Sequence, residues 1–244
     1  MNNLLPRIAM MSLALALALS LSAQNIGSLL KKAKNTLDGG TLTTEEISGG
    51  LKEALQLGIG EAVDQLSAEN GYLESPYKIL LPAEARQVVD KLKMVPGFAN
   101  VERELILRVN RAAELAAREA TPIFTEAITQ MTFRDAADIL TGERDAATQY
   151  LHRQTHDQLF MAFEPIVIDA LDEVNARTYW REATTAYNRL PFVSKVNTEL
   201  DDYVTEEALT GLFGLIEKKE SQIRSDIGAR TSPLLKKVFA QQDQ

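Results

Sequence analysis

Residues Thr205–Ile223, TEEALTGLFGLIEKKESQI, form the stretch of sequence that decides the fold class. Its apolar residues recur every three or four positions, which places them on one face of an α-helix. These residues are Ala208, Leu209, Leu212, Phe213, Ile216 and Ile223. The pattern predicts an amphipathic helix that packs one side against a core.

Most of the chain after residue 24 shows the same helical periodicity. Ala146–Phe163 has the pattern of a strong helix, and Pro165 is predicted to open the next helix, since proline is favoured in a first turn. Residues 71–82 are the clearest non-helical interval and leave room for at most one short strand pair. We therefore predict an all-α fold, an irregular multi-helix bundle.

Two helix starts can be located from their capping residues. Thr132 and Asp135 have the spacing of a capping box, with Asp in place of the usual Glu. Ser232 followed by Pro233 combines a favoured N-cap residue with proline at the first helical position. Helices are therefore predicted to begin at both places.

The N-terminal 23 residues are typical of a secretory signal peptide. A polar start carrying Arg7 precedes the apolar run Ile8–Leu21, and the small residues Ser22 and Ala23 follow. The run is shorter than the roughly 20 apolar residues that cross a membrane. We expect cleavage after residue 23, a single helical domain over residues 24–244 with no transmembrane span, and a periplasmic or extracellular location.

The composition is that of an ordinary globular protein with an acidic balance. The chain has 34 Asp and Glu against 26 Lys and Arg, and it contains no cysteine. Its net charge of −8 argues against nucleic-acid binding, which needs a cationic surface. Without cysteine the chain has no disulfides, thiolate nucleophiles or thiolate metal ligands, and we expect no lipid anchor on an N-terminal cysteine.

His152 and His156 are the only histidines of the chain. Their four-residue spacing puts both rings on one helical face, where two imidazoles can bind one metal ion. The metalloprotease motif, however, needs Glu directly after the first histidine, and Arg153 stands there. Two interpretations stay open: a metal site completed by a carboxylate such as Asp157 or Glu164, or two surface histidines.

A polar pocket is the second candidate site. Phe133–Ala137 and Asp145–Tyr150 flank a turn at Thr141-Gly142 and combine small residues with polar groups near helix starts. Helix N-termini bind anions and polar ligands through their free amides. The candidate lining residues are Arg134, Asp135, Asp145, Thr148, Gln149 and Tyr150. The alternative is that the small residues simply allow helices to pack closely.

Other catalytic and nucleotide-binding patterns are missing from the sequence. It contains neither a Gly-x-Ser-x-Gly elbow nor a Gly-x-x-x-x-Gly-Lys-Ser/Thr loop, and we expect no cofactor. Four glycines of the first long helix are therefore read as sites of close helix packing: Gly49, Gly50, Gly58 and Gly60. Trp180, with Tyr179 and nearby arginines, is read either as part of a protein interface or as core.

Six short motifs, in order along the chain, resemble one bacterial protein family. They are Leu51–Leu55 (LKEAL), Asn110–Glu114 (NRAAE), Ala146–Tyr150 (AATQY), Leu190–Val193 (LPFV), Ala208–Phe213 (ALTGLF) and Leu234–Phe239 (LLKKVF). Together they are similar to domain of unknown function 4197, over about residues 27–240. The resemblance implies an exported, largely helical envelope protein and brings no activity or catalytic residues with it. Many members carry a lipid-anchored cysteine, and this chain departs from that pattern.

Three functions remain open at this level. The absence of catalytic motifs favours a non-enzymatic binding or scaffold protein of the bacterial envelope, whose partner is an unknown envelope protein or a small ligand. One alternative is a carrier of a lipid or other small apolar ligand in a pocket between helices. The other is a metal-dependent hydrolase that uses His152 and His156.

Overall fold

The computed structural model describes residues 42–82, 100–189, 191–192, 195, 197 and 199–240. Contacts between residues divide the chain into two compact units, residues 1–43 and residues 44–244. Of the first unit only residues 42 and 43 are described, so the predicted signal peptide lies outside the described residues.

The described part of the second unit is built from α-helices. They are α1 (Thr44–Ser67), α2 (Val101–Ala116), α3 (Ala120–Gln130), α4 (Phe133–Thr141), α5 (Ala146–Asp172), α6 (Ala176–Asn188), α7 (Leu200–Ser225) and α8 (Pro233–Phe239), with short 3₁₀ turns at Ala117–Glu119 and Ile227–Ala229. The described residues contain no strand, and residues 71–82 form turns and irregular chain. The predicted all-α bundle is confirmed.

Helix α7 lies at the centre of the bundle, packed against both α1 and α5. Helix α1 also contacts α3, α4 and α8, while α5 contacts α2 and α3. The six apolar residues that predicted α7 are all buried, which confirms the predicted stripe. Burying a side chain such as Leu212 or Phe213 contributes about 1.5–3 kcal/mol, so this stripe is a principal source of stability.

The prediction that Pro165 opens a new helix is wrong. Helix α5 runs without a break from Ala146 to Asp172 and has Pro165 inside it. An interior proline removes one hydrogen bond and costs about 3 kcal/mol. The same helix buries Leu159, Phe163 and Val167 completely, on both sides of the proline. The burial of these side chains on both sides of Pro165 therefore outweighs the preference of proline for the first turn of a helix.

Both predicted helix caps are confirmed. At the start of α4 the Thr132 hydroxyl accepts from the Asp135 amide, and the Asp135 carboxylate accepts from the Thr132 amide at 2.9 Å. At the start of α8 the Ser232 hydroxyl accepts from the Leu235 amide at 3.1 Å. These bonds satisfy backbone donors that a helix start leaves without partners.

The irregular segment after α1 is held by two buried side chains of α2. The Asn110 side chain accepts from the Ile79 amide at 2.9 Å and donates to the Ile79 carbonyl at 2.8 Å. The Glu114 carboxylate accepts from the amides of Tyr72 and Leu73. Because buried backbone groups need partners, Asn110 and Glu114 allow this non-helical segment to lie against the core.

The Tyr72 side chain connects the same segment to α7. Its hydroxyl donates to the Ala208 carbonyl at 2.8 Å, and its ring packs over Gly211, where a Cβ atom would lie 2.9 Å from the ring. Burial, with the nearby Glu114 charge, raises the pKa of the Tyr72 phenol far above its ordinary value, so the group stays protonated. Gly211 thus permits a close approach of two elements.

The predicted role of the α1 glycines is confirmed at Gly50 and wrong at Gly60. A Cβ atom at Gly50 would meet the Val238 side chain of α8 at 2.5 Å, so glycine is required for that packing. No atom lies within 4 Å of the corresponding position at Gly60.

Trp180 belongs to the core of the described structure. It is buried, and its indole Nε1 donates to the Asn197 carbonyl at 3.2 Å. The neighbouring Tyr179 is exposed. The interface that the sequence suggests around these two residues stays a prediction.

Candidate functional site

The candidate site is an open cleft of about 480 Å³ between α5 and α7, which we call the α5–α7 cleft. Helix α5, with the residue before it, contributes Asp145, Thr148, Gln149, His152, Arg153 and His156, and α7 contributes Glu206, Leu209, Thr210, Phe213, Gly214 and Glu217. The three- and four-residue spacing on each helix aligns these side chains along one face. Each of the two helices therefore forms one continuous wall of the cleft.

The structure brings part of the predicted polar pocket into this cleft. Asp145, Thr148 and Gln149 line it, together with both histidines. The Gln149 side chain donates to the Asp145 carboxylate at 2.9 Å, which fixes the two groups at the start of α5. These residues share a surface because they follow one another on the first turns of α5.

Arg134, Asp135 and Tyr150 are not among the residues that line the cleft. The Arg134 side chain is 90% exposed, with its Nε 3.8 Å from a carboxylate oxygen of Asp138. Asp135 is engaged in the helix cap with Thr132, whose hydroxyl and amide lower the Asp135 pKa. Tyr150 is buried, and this burial, with the charge of Asp135, raises the pKa of its phenol.

The two histidines form a stacked aromatic group within the cleft. The ring centroids of His152 and His156 lie 4.7 Å apart, as do those of His152 and Phe213. The predicted position of both histidines on one helical face is therefore confirmed. The stack gives the cleft a flat, partly apolar surface at its middle.

His156 lies between two carboxylates. Its Nε2 lies 3.1 Å from Oε2 of Glu206, which is across the cleft on α7. Its Nδ1 lies 3.4 Å from Oδ1 of the neighbouring Asp157. A carboxylate accepts only from a protonated ring nitrogen, so both bonds form together only in the imidazolium. Each ring nitrogen of His156 therefore already has a carboxylate neighbour.

Among the described residues, one group of three carboxylates could hold a metal ion. It consists of Glu164, Asp201 and Asp202, and one oxygen of each lies within 4.8 Å of the others. His152 and His156 belong to no such group there. The buried Asp201 carboxylate is already paired with the guanidinium of Arg177, at 3.0 and 3.4 Å. This arrangement is that of an ion pair that joins α6 to α7, and the predicted histidine metal site stays a prediction.

A buried carboxylate beside the cleft, Glu220, was not identified from the sequence. It accepts from the amides of Ala147 and Thr148 at 3.0 and 2.8 Å, and from the Thr148 hydroxyl at 2.8 Å. It also pairs with Arg224, whose guanidinium donates to the Ile139 and Leu140 carbonyls at the end of α4. One ion pair therefore satisfies both the start of α5 and the end of α4.

Three of the six motifs that carry the family resemblance contribute contacts described above. Asn110 and Glu114 hold the irregular segment, Thr148 binds the buried carboxylate of Glu220, and Gly211 admits the Tyr72 ring. A family model described as a protein of unknown function, DUF4197, matches residues 41–240.

The chain belongs to the DUF4197 family. No curated protein and no solved structure is significantly similar to it. Each described helix of this DUF4197 protein is too short or too polar to pass through a lipid bilayer. Two of the six motifs, Ala146–Tyr150 and Ala208–Phe213, contribute to the wall of the α5–α7 cleft, through Thr148, Gln149, Leu209, Thr210 and Phe213.

Proposed function

We propose that this protein is exported to the bacterial cell envelope and acts there as a non-enzymatic binding protein. The α5–α7 cleft is its contact surface. The observation that carries the proposal is the composition of this wall, in which His152, Thr210 and Glu217 project into open space rather than into the core. The signal-like residues 1–23 support the location.

The charges of the cleft favour a positively charged segment of a partner protein. Asp145, Glu206 and Glu217 contribute three carboxylates, against the single guanidinium of Arg153. A lysine or arginine side chain has an apolar stem, which can lie on the exposed ring of His152, and a charged end, which a carboxylate can pair with. The cleft offers both surfaces side by side.

Glu217 is the carboxylate best placed for such a contact. It is exposed, and it lies near Tyr77, whose phenol pKa is raised by burial and by the Glu217 charge. Glu206, in contrast, is paired with His156 at 3.1 Å, and Asp145 accepts from Gln149. We therefore assign the first contact with the partner's cation to Glu217.

The geometry favours this function over a carrier of apolar ligands. The apolar pocket between α1 and α7, which Leu55, Ile59 and Ile216 line, has a volume of about 20 Å³. That volume holds about one water molecule, whereas pockets for small-molecule ligands measure roughly 300–1,000 Å³. A lipid chain does not fit there without rearrangement of the helices.

Site-specific photo-cross-linking in intact cells tests the proposal. A photoreactive residue replaces Gln149, which lines the cleft, or Gln222, an exposed glutamine of α7 that does not line it. We expect one defined envelope protein to be captured from position 149 and not from position 222. Capture of the same proteins from both positions would show that the cleft is not the contact surface.

A further inference from the structure

A second open cleft, about 600 Å³ in volume, lies where the end of α4 meets the last turns of α7. We call it the α4–α7 cleft, and its lining residues are Leu140, Thr141, Gly142, Arg144, Ser221, Arg224 and Ser225. Two of these residues are arginines, three carry hydroxyl groups and none is acidic. This lining contrasts with the net charge of −8 of the whole chain.

Arg224 lines the α4–α7 cleft with a guanidinium that hydrogen bonds hold in place. Its Nε and Nη2 contact the Glu220 carboxylate at 2.9 and 2.8 Å, its Nη2 donates to the Ile139 carbonyl, and its Nη1 donates to the Leu140 carbonyl. A guanidinium has five N–H groups, and these contacts use four of them. One N–H of Nη1 remains without a partner among the described residues, on a side chain that its other bonds hold in place.

Arg144 contributes an exposed charge to the same cleft. Its side chain is exposed, and no ion pair of Arg144 is seen among the described residues. Its sequence neighbour Asp145 lines the α5–α7 cleft instead, where it accepts from Gln149. The Ser221 hydroxyl is exposed as well, so Arg144 and Ser221 can both turn toward a bound ligand.

The Glu220 charge does not cancel this basic surface. The carboxylate is buried and directs its oxygens at Arg224 and at the amides of Ala147 and Thr148. Arg224 and Glu220 thus neutralise each other inside the protein, and the charge of Arg144 is left over at the opening.

We propose that the α4–α7 cleft binds a phosphate-bearing anion. Arg144 contributes the charge and a planar pair of N–H donors, which matches two phosphate oxygens. Nη1 of Arg224 and the Ser221 hydroxyl donate to the remaining oxygens. The same phosphate chemistry is present in soluble phosphorylated molecules and in anionic lipid headgroups, and the test separates these two sources.

The first arm of the test uses the folded full-length mature protein and inorganic phosphate. We expect phosphate at millimolar concentration to bind to the wild-type protein, as measured by calorimetry. Arg144→Gln weakens binding by about tenfold, the loss expected for one charge-assisted contact, and Ser221→Ala weakens it less. Arg134→Gln is the matched control, because it removes an exposed arginine of α4 that does not line the cleft.

The second arm uses lipid vesicles. Co-sedimentation is measured with vesicles of phosphatidylglycerol in phosphatidylcholine and with phosphatidylcholine alone. Binding to the anionic vesicles that Arg144→Gln weakens and Arg134→Gln does not would identify a lipid headgroup as the source, and phosphate binding alone would identify a soluble ligand. Circular dichroism establishes that each variant is folded.

Two results would overturn the proposal. One is the absence of binding to phosphate and to anionic vesicles alike. The other is equal weakening by Arg144→Gln and Arg134→Gln, which would reduce the effect to the general charge of the protein.

Discussion

The carboxylate of Glu220 on α7 accepts hydrogen bonds from both the amide and the hydroxyl of Thr148 on α5, each at 2.8 Å. The two residues lie 72 positions apart in the chain. An acidic group near a helix start stabilises the helix because it satisfies free amides and complements the helix dipole. Here the acidic group comes from another helix, so the same contact fixes how α5 and α7 meet.

Loss of this carboxylate should strongly destabilise the protein. Glu220→Ala leaves the buried guanidinium of Arg224 without its counter-ion and frees two amides of α5. Removing one partner of a buried ion pair costs about 3–5 kcal/mol. Urea unfolding measures this change. Glu217→Ala, one turn away and exposed, should change the free energy of unfolding by no more than about 0.5 kcal/mol. Equal effects would contradict the structural role of Glu220.

Two glycine substitutions should have opposite effects on stability. In Gly211→Ala the new Cβ lies 2.9 Å from the Tyr72 ring and 3.1 Å from Cβ of Tyr77, so overpacking should cost about 1–3 kcal/mol. In Gly60→Ala nothing lies within 4 Å, and the higher helix propensity of alanine should add up to about 1 kcal/mol. Thermal unfolding of both variants checks the signs. Stabilisation by Gly211→Ala would show that Tyr72 is not packed as described.

The cap of α4 should make part of the stability depend on pH. The Thr132 hydroxyl and amide hold the Asp135 pKa below its ordinary value. Its charged form therefore stabilises the fold above the unfolded pKa of about 3.9, and this contribution is lost as the pH falls through the lowered folded pKa. Asp135→Ala should cost about 0.5–1 kcal/mol at neutral pH, and its difference from wild type should close in acid.

Asp138→Ala is the control for this pH dependence. Its carboxylate lies on the same helix, is exposed, and has a 3.8 Å contact with Arg134. Urea unfolding across the acid range should show no comparable closing of the gap for this variant. A gap for Asp135→Ala that stays constant into acid would contradict the cap as the source of the effect.

The helices themselves could be predicted from local sequence, and their partners could not. The stripe of α7 and the caps at Thr132 and Ser232 are local signals, because spacing and capping act within a few residues. Pro165 misled the prediction because tertiary burial of Phe163 and Val167 overrides a local preference. Glu220 and Arg224 have the four-residue spacing of an ordinary exposed ion pair on one helix. Only the packing of α4 and α5 against α7 buries these two side chains.

The candidate site could be predicted in part for the same reason. Asp145, Thr148 and Gln149 come together with His152 and His156 because all five lie within three turns of one helix or at its start. The wall contributed by α7, including Glu206 and Glu217, carries no signal in the sequence that links it to α5. Arg134 and Asp135 do not line the cleft, since they belong to the start of a different helix.

Metal analysis tests the alternative in which His152 and His156 hold an ion. We expect no transition metal to remain bound after purification without chelators, because both nitrogens of His156 face carboxylates at 3.1 and 3.4 Å. The measurement is elemental analysis of wild type and His156→Ala. One equivalent of metal in wild type that His156→Ala removes would establish the metal site and contradict the binding function assigned to this face.

The cross-link yield at position 149 in cells, with and without the Glu217 carboxylate, tests the assigned function most directly. The test variant is Glu217→Gln, in the α5–α7 cleft. The control is Glu182→Gln, which removes the same charge from an exposed position on α6. We predict that Glu217→Gln lowers the yield of the captured partner severalfold, whereas Glu182→Gln leaves it unchanged, as expected for one pairing of a carboxylate with a cation. An unchanged yield with Glu217→Gln, or an equal loss with both variants, would contradict the binding of a cationic partner in this cleft.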